Sequence, residues 1–103
     1  NAIISVSGST PAYIYQITKH FVDYAEESGL DRQMALSMFC QTLTGSAKMM
    51  TESGYSLDEL IQMVSSKGGT TIAGLTSFAE DGLGDMIKKA CDCCTKRAIE
   101  LAK

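Results

Sequence analysis

The chain reads as an all-α fold of five helices, and three observations lead there. Apolar residues recur at helical spacing in separate segments, as a one-sided helix face requires. Residues that cap or break helices stand between those segments. No stretch alternates at period two with β-branched enrichment, so strands are absent or minor.

The first helix opens in "SGSTPAY". Thr10 is the expected N-cap, and Pro11 suits the first helical position, where its missing N–H costs nothing. Tyr13, Ile14, Ile17, Phe21, Tyr24 and Ala25 mark one face. Gly29 closes the helix through the left-handed turn that glycine takes without steric cost.

Asp31 caps the second helix, which runs to about Ser53. Ala35, Met38, Phe39, Thr42 and Met49 form one stripe; Leu36, Cys40, Leu43, Ala47 and Met50 form another beside it. A helix apolar over most of its circumference is expected to be buried on most sides. It reads as the central helix, about 30 Å long by its rise per residue.

"SLDE", Ser56 to Glu59, is a capping box, and Leu57, Leu60, Ile61 and Val64 follow on one face. The fourth helix starts near Thr70 and stops near Gly82. The fifth runs from Asp85 towards Lys103, with Ile87, Cys91, Cys94, Ala98 and Leu101 aligned.

Composition narrows the function. At 103 residues the chain makes one domain, and 45% hydrophobic residues mark a packed protein with more apolar side chains than so small a globule covers. A partner subunit is the expected remedy. The net charge is −3 with nine scattered basic residues, which argues against nucleic acid. No apolar run approaches the roughly 20 residues that span a bilayer. No targeting segment is visible, and four cysteines within helical patterns suit a reducing cytoplasm. Without an initiator methionine the chain reads as a fragment.

Cys91 and Cys94 have the C-x-x-C spacing of zinc and redox sites. No second pair accompanies them, His20 is the only histidine, and both thiols fall on an apolar stripe. They read as small hydrophobes in the packing, and no metal is expected. No P-loop, nucleophile elbow or dinucleotide fingerprint occurs.

The segment "SSKGGTTIAGL", Ser65 to Leu75, is different. It places Gly68, Gly69, Thr70 and Thr71 at the mouth of a helix. The first amides of a helix lack internal acceptors, and that end of the dipole is positive. Glycine lets an anion approach them closely. The pattern fits a small carboxylate, with a capped turn as the plain alternative.

"SGSTPAYIY", "GLDRQMAL", "GSAKMMTESG" and "LDELIQMVSSKGGTTIAGL" together resemble the C-terminal domain of pyrroline-5-carboxylate reductase over nearly the whole chain. The resemblance implies a helical dimerisation and substrate-binding domain over residues 1–103, of the 6-phosphogluconate-dehydrogenase C-terminal-like superfamily. It implies a homodimer of interlocked long helices, with dimers that assemble further into rings. It also implies an N-terminal Rossmann domain, outside this chain, that binds NADP or NAD. The implied reaction is NAD(P)H-dependent reduction of 1-pyrroline-5-carboxylate to L-proline, a small cyclic imino-acid chemistry. By position, Gly68, Gly69, Thr70 and Thr71 would hold the substrate carboxylate, and the Thr71 hydroxyl would face the ring nitrogen. Ser7, Gly8 and Ser9 would lie near the reacting end of the cofactor. The fragment alone is expected to be inactive.

Two positions depart from the family pattern. Lys67 stands where proline is usual, and Thr10 where glycine is usual. Both flank the site, so the alternative is a non-catalytic or altered-substrate paralogue acting as a helical dimerisation module.

Overall fold

The computed structural model describes residues 3, 7–65 and 69–102. These form five helices: α1 (Thr10–Glu27), α2 (Arg32–Glu52), α3 (Leu57–Ser65), α4 (Gly69–Glu80) and α5 (Leu83–Leu101). Among the described residues there is no strand.

The local signals act as the sequence predicts in most places. Asp31, in extended conformation, accepts from the Met34 amide at 2.9 Å and starts α2. In the capping box the Ser56 amide donates to Glu59 Oε1 at 2.9 Å, and the Glu59 amide donates to Ser56 Oγ at 3.1 Å. Each contact satisfies a donor that the helix leaves open. At the end of α1, Gly29 takes φ +98°, and the Leu30 amide folds back onto the Ala25 carbonyl at 3.0 Å.

Two boundaries differ. Thr10 is not the cap of α1 but its first residue; the Ser9 carbonyl accepts from the Ala12 and Tyr13 amides. Pro11 therefore sits second, still within the first turn, where no amide is required of it. At the other junction α5 begins at Leu83 instead of Asp85. Gly82 adopts φ +75° and its carbonyl already accepts from the Met86 amide, which leaves Asp85 inside the first turn.

The chain divides into two compact units. One joins residues 1–15 with 72–103; the other is residues 16–71. In the second unit Phe21 and Phe39 meet with ring centroids 5.0 Å apart and planes tilted by 32°. Arg32 spans Asp23 at 2.9 Å and Glu26 at 3.2 Å, which ties the start of α2 to α1. All three side chains are open to solvent, so the pairs orient more than they stabilise. α3 packs against α2.

The expectation that α2 is buried on most sides fails within this chain. Only Ala35 of α2 is buried; Leu36, Met38, Leu43, Met49 and Met50 are exposed. Val22 is the one other buried hydrophobic residue among those described. The chain presents 8392 Å². A folded monomer of 11.0 kDa presents roughly 5,600 Å². The apolar stripes that mark α2 as a core helix are there, but the described residues leave them largely uncovered.

Candidate functional site

Gly69 opens α4, followed by Thr70 and Thr71, and all three are exposed. Their amides belong to the first turn, which has no intrahelical acceptor for them. A Cβ placed on Gly69 would meet nothing within 4 Å. The space beside the Gly69 Cα is therefore open, and no described neighbour demands glycine there. No acidic side chain stands in that first turn. The end is thus positive through the helix dipole, with no carboxylate of its own to neutralise it. Such a turn can receive a small anion. Gly68 and Lys67 lie outside the described residues.

The second predicted group, Ser7, Gly8 and Ser9, precedes α1. Ser7 is exposed and its hydroxyl donates to the Ile3 carbonyl at 2.9 Å. Gly8 is exposed. Ser9 is half-buried, and its Oγ lies 3.3 Å from Cys94 Sγ on α5. Both residues belong to the first unit.

Tyr13, one turn into α1, joins them. Hydrogen bonding with Cys94 raises its phenol above the usual tyrosine range; a hydrogen bond with Ser9 works in the opposite direction. The reading of Cys94 as packing alone is therefore incomplete. Its thiol is half-buried and not fully packed away, and it takes part in a polar contact with two residues of the α1 entrance. The sequence carried one signal of this: Tyr13 and Cys94 both lie on apolar faces while each bears a polar end. Cys91 is also half-buried, whereas Cys40 and Cys93 are exposed.

The second unit contains an open groove of about 990 Å³ between α2 and α3. Met49, Met50, Leu57, Leu60, Ile61 and Val64 line it. Apart from Leu60, each of these residues is exposed. It is an apolar surface of the kind that proteins cover with a partner. No group of three or more His, Cys, Asp or Glu placed to hold a metal ion occurs among the described residues. No helix is long and apolar enough to cross a membrane among them.

Comparison with known proteins gives one family. The model for pyrroline-5-carboxylate reductase dimerisation matches residues 1–101. Pyrroline-5-carboxylate reductase of Methanosarcina acetivorans is 39% identical over 103 residues, which is 100% of this chain and 38% of the relative. The pea (Pisum sativum) reductase is 40% identical over 102 residues, 99% of this chain and 37% of its own. Among solved structures, 1-pyrroline-5-carboxylate reductase of Streptococcus pyogenes superposes with a TM-score of 0.89 at 32% identity, over 94% of this chain and 38% of that one. The Plasmodium falciparum enzyme, solved with NADP bound, shares the fold with a TM-score of 0.92 at 24% identity, over 99% of this chain and 39% of its own. The chain thus spans less than half the length of the relatives it matches.

Proposed function

The chain belongs to the pyrroline-5-carboxylate reductase dimerisation family, and from that premise we propose that it is the dimerisation and substrate half of an enzyme reducing 1-pyrroline-5-carboxylate to L-proline. One observation carries the reading: Gly69, Thr70 and Thr71 form the exposed first turn of α4, in a chain that matches the family from residue 1 to 101.

In this reading the first-turn amides of α4, with Gly68, hold the substrate carboxylate. The Thr71 hydroxyl faces the ring nitrogen, which becomes a secondary amine as it takes up a proton. A reduced nicotinamide cofactor, NADPH or NADH, supplies hydride to the imine carbon when bound. The described residues are helical and offer no glycine loop between a strand and a helix to cradle a pyrophosphate. That binding is assigned to a Rossmann domain outside this chain. What these residues contribute is orientation: a fixed carboxylate restricts the ring, and restriction lowers the entropic part of the barrier. Ser7, Gly8 and Ser9 are placed near the reacting end of the cofactor.

The homodimer is part of the same reading. The surface in excess of a monomer's, roughly 2,800 Å² per chain, and the apolar groove of α2 and α3 both call for a second copy. Interlocked helices would cover them, and such dimers can close further into rings. The cytoplasm is the expected compartment.

The test is an assay of the complete protein with 1-pyrroline-5-carboxylate and NADPH or NADH. Imine-dependent oxidation of the cofactor is expected, and its absence from a folded, dimeric protein overturns the catalytic reading. Lys67 and Thr10 favour one second reading, a dimerisation module without this activity or with another cyclic imine as substrate. A dimer that turns over a different ring, or none, selects it.

A further inference from the structure

Several half-buried side chains of the first unit lie at the entrance of α1 and on α5. Ser9 and Tyr13, at the entrance of α1, meet Cys94 of α5, with Cys91 and Thr95 half-buried on α5 beside it. No residue of this unit among those described is fully buried, so this contact is the nearest thing the unit has to a core. It is a polar one. The Ser9 hydroxyl and the Cys94 thiol lie 3.3 Å apart, within hydrogen-bond reach for sulfur.

The backbone gives Ser9 a second constraint. Its carbonyl accepts from the Ala12 and Tyr13 amides at 3.1 and 3.4 Å. Main chain and side chain are thus both engaged, the first by α1 and the second by α5. Ser7, two residues earlier, has its hydroxyl turned back onto the Ile3 carbonyl and contributes no tie to α5 through it. Among the described hydroxyls of the Ser7–Ser9 segment, the bond to α5 is therefore the Ser9 bond.

We infer that Cys94 and Tyr13 are positioning residues, which hold Ser9 and through it the Ser7–Ser9 segment in the arrangement that serves the cofactor side of the reaction. This rests on the reductase reading given above. Cys94 does not touch the reacting atoms in this role. It acts through Ser9, as a polar side chain whose removal frees the hydroxyl to rotate. A serine at 94 can make the same contact with a shorter reach. An alanine cannot make it at all.

The experiment is steady-state kinetics on the complete protein, with cofactor and imine varied separately, for the parent and for Cys94→Ala, Cys94→Ser and Tyr13→Phe. Cys94→Ala is expected to raise the KM for the nicotinamide cofactor about three- to tenfold, the weight of one neutral hydrogen bond. The KM for the imine should stay within about twofold, because the carboxylate is held by α4. Cys94→Ser should recover most of the loss, and Tyr13→Phe should shift the cofactor KM in the same direction as Cys94→Ala. A purely structural role would move both KM values together or lower the melting temperature without separating them. Cofactor and imine KM values that rise in parallel, a cofactor KM unchanged in Cys94→Ala, or a serine variant no better than alanine would each overturn the inference while leaving the reductase reading intact. A parent protein with no imine-dependent oxidation removes that reading, and the inference falls with it. If Cys94→Ala fails to fold, Cys94→Val keeps an apolar side chain of similar size and still removes the contact with Ser9, and it is expected to give the same selective rise; its absence overturns the inference.

Discussion

Thr71 is the residue on which the proposed chemistry turns. Its hydroxyl sits in the first turn of α4, exposed, where it can meet a ring already anchored by the neighbouring amides. Losing a hydrogen bond to a charged or polarised group costs about 1.5–3 kcal/mol. Thr71→Ala in the complete protein is therefore expected to lower kcat/KM roughly ten- to a hundredfold, with the circular dichroism of the helices unchanged. Activity within twofold of the parent reduces Thr71 to a helix-start residue. Lys67 makes a contrasting case. The proposed anion donors are amides that follow it in sequence, so any side chain at 67 leaves them in place. Lys67→Pro is expected to change the imine KM by less than about tenfold and to weaken its dependence on salt. Loss of all binding would make the pocket lysine-centred and the substrate assignment wrong. Tyr13 gives a pH reading at the same scale. Its folded pKa is raised, chiefly by the hydrogen bond with Cys94. The stability linked to that bond is whole below the ordinary tyrosine value of 10.0 and is lost as pH rises through the higher folded value. In Cys94→Ala the Tyr13 transition should move down towards the ordinary value, followed by tyrosinate absorbance against a Tyr13→Phe control.

Among the helices, α3 depends most on its cap. It has nine residues, short enough that its own propensity cannot hold it in water. Packing on α2 and the reciprocal bonds of Ser56 and Glu59 do that work. Ser56→Ala is expected to lower the stability of the folded protein by about 1 kcal/mol in urea titration. The Glu59 carboxyl lies below its ordinary value, first because of the Ser56 backbone amide and then because of the Ser56 hydroxyl. Its contribution is therefore complete above pH 4.5 and disappears as pH falls through the lower folded value. Glu59→Gln should flatten that acid limb by losing the carboxylate's contribution at neutral pH, and should match the parent most closely below the folded value. An acid limb identical in the two proteins would show that the box does not hold α3. All of this was legible beforehand, because a capping box is written within four residues. The start of α1 was less so. Thr10 carries the same capping chemistry as Ser9, and only the folded chain shows that the Ser9 carbonyl begins the helix while its hydroxyl is engaged with α5.

At the scale of the whole molecule the chain is short of its own cover. Folding leaves Met38, Met50, Leu57 and Val64 more than half exposed, at 60%, 52%, 61% and 65%. At roughly 25 cal/mol per Å², burying such surface between two copies adds a large favourable term to what folding of one copy gains. Light scattering is expected to show a dimer at micromolar concentration, with an interface above roughly 2,000 Å² in total. The unfolding midpoint should rise with protein concentration, as it does when folding and association are coupled. Ile61→Glu puts a charge in the α2–α3 groove and is expected to shift the equilibrium to monomer or to unfolded chain. A folded wild-type monomer at that concentration contradicts the proposal. The isolated chain is also expected to oxidise no NADPH in the presence of the imine, since its described residues offer no cradle for a dinucleotide.

What the sequence determined by itself is the set of helices and most of their ends. Asp31 and Met34, Ser56 and Glu59, or Ala25 and Leu30 are three to five residues apart, so their contacts are settled by local backbone geometry whatever the rest of the chain does. The Gly69-Thr70-Thr71 opening of α4 belongs to the same class, since open amides follow from being first in a helix. What only the tertiary structure decided is where long-range pairs form and how much is left uncovered. Ser9 and Cys94 are 85 positions apart. Their hydrogen bond exists because the entrance of α1 and the middle of α5 share one compact unit, a fact that no spacing encodes. The same holds for the stripes of α2. Periodicity says that those side chains should leave water, but it cannot say whether the same chain or a second one receives them. The hydrophobic effect counts area removed from water without regard to its source.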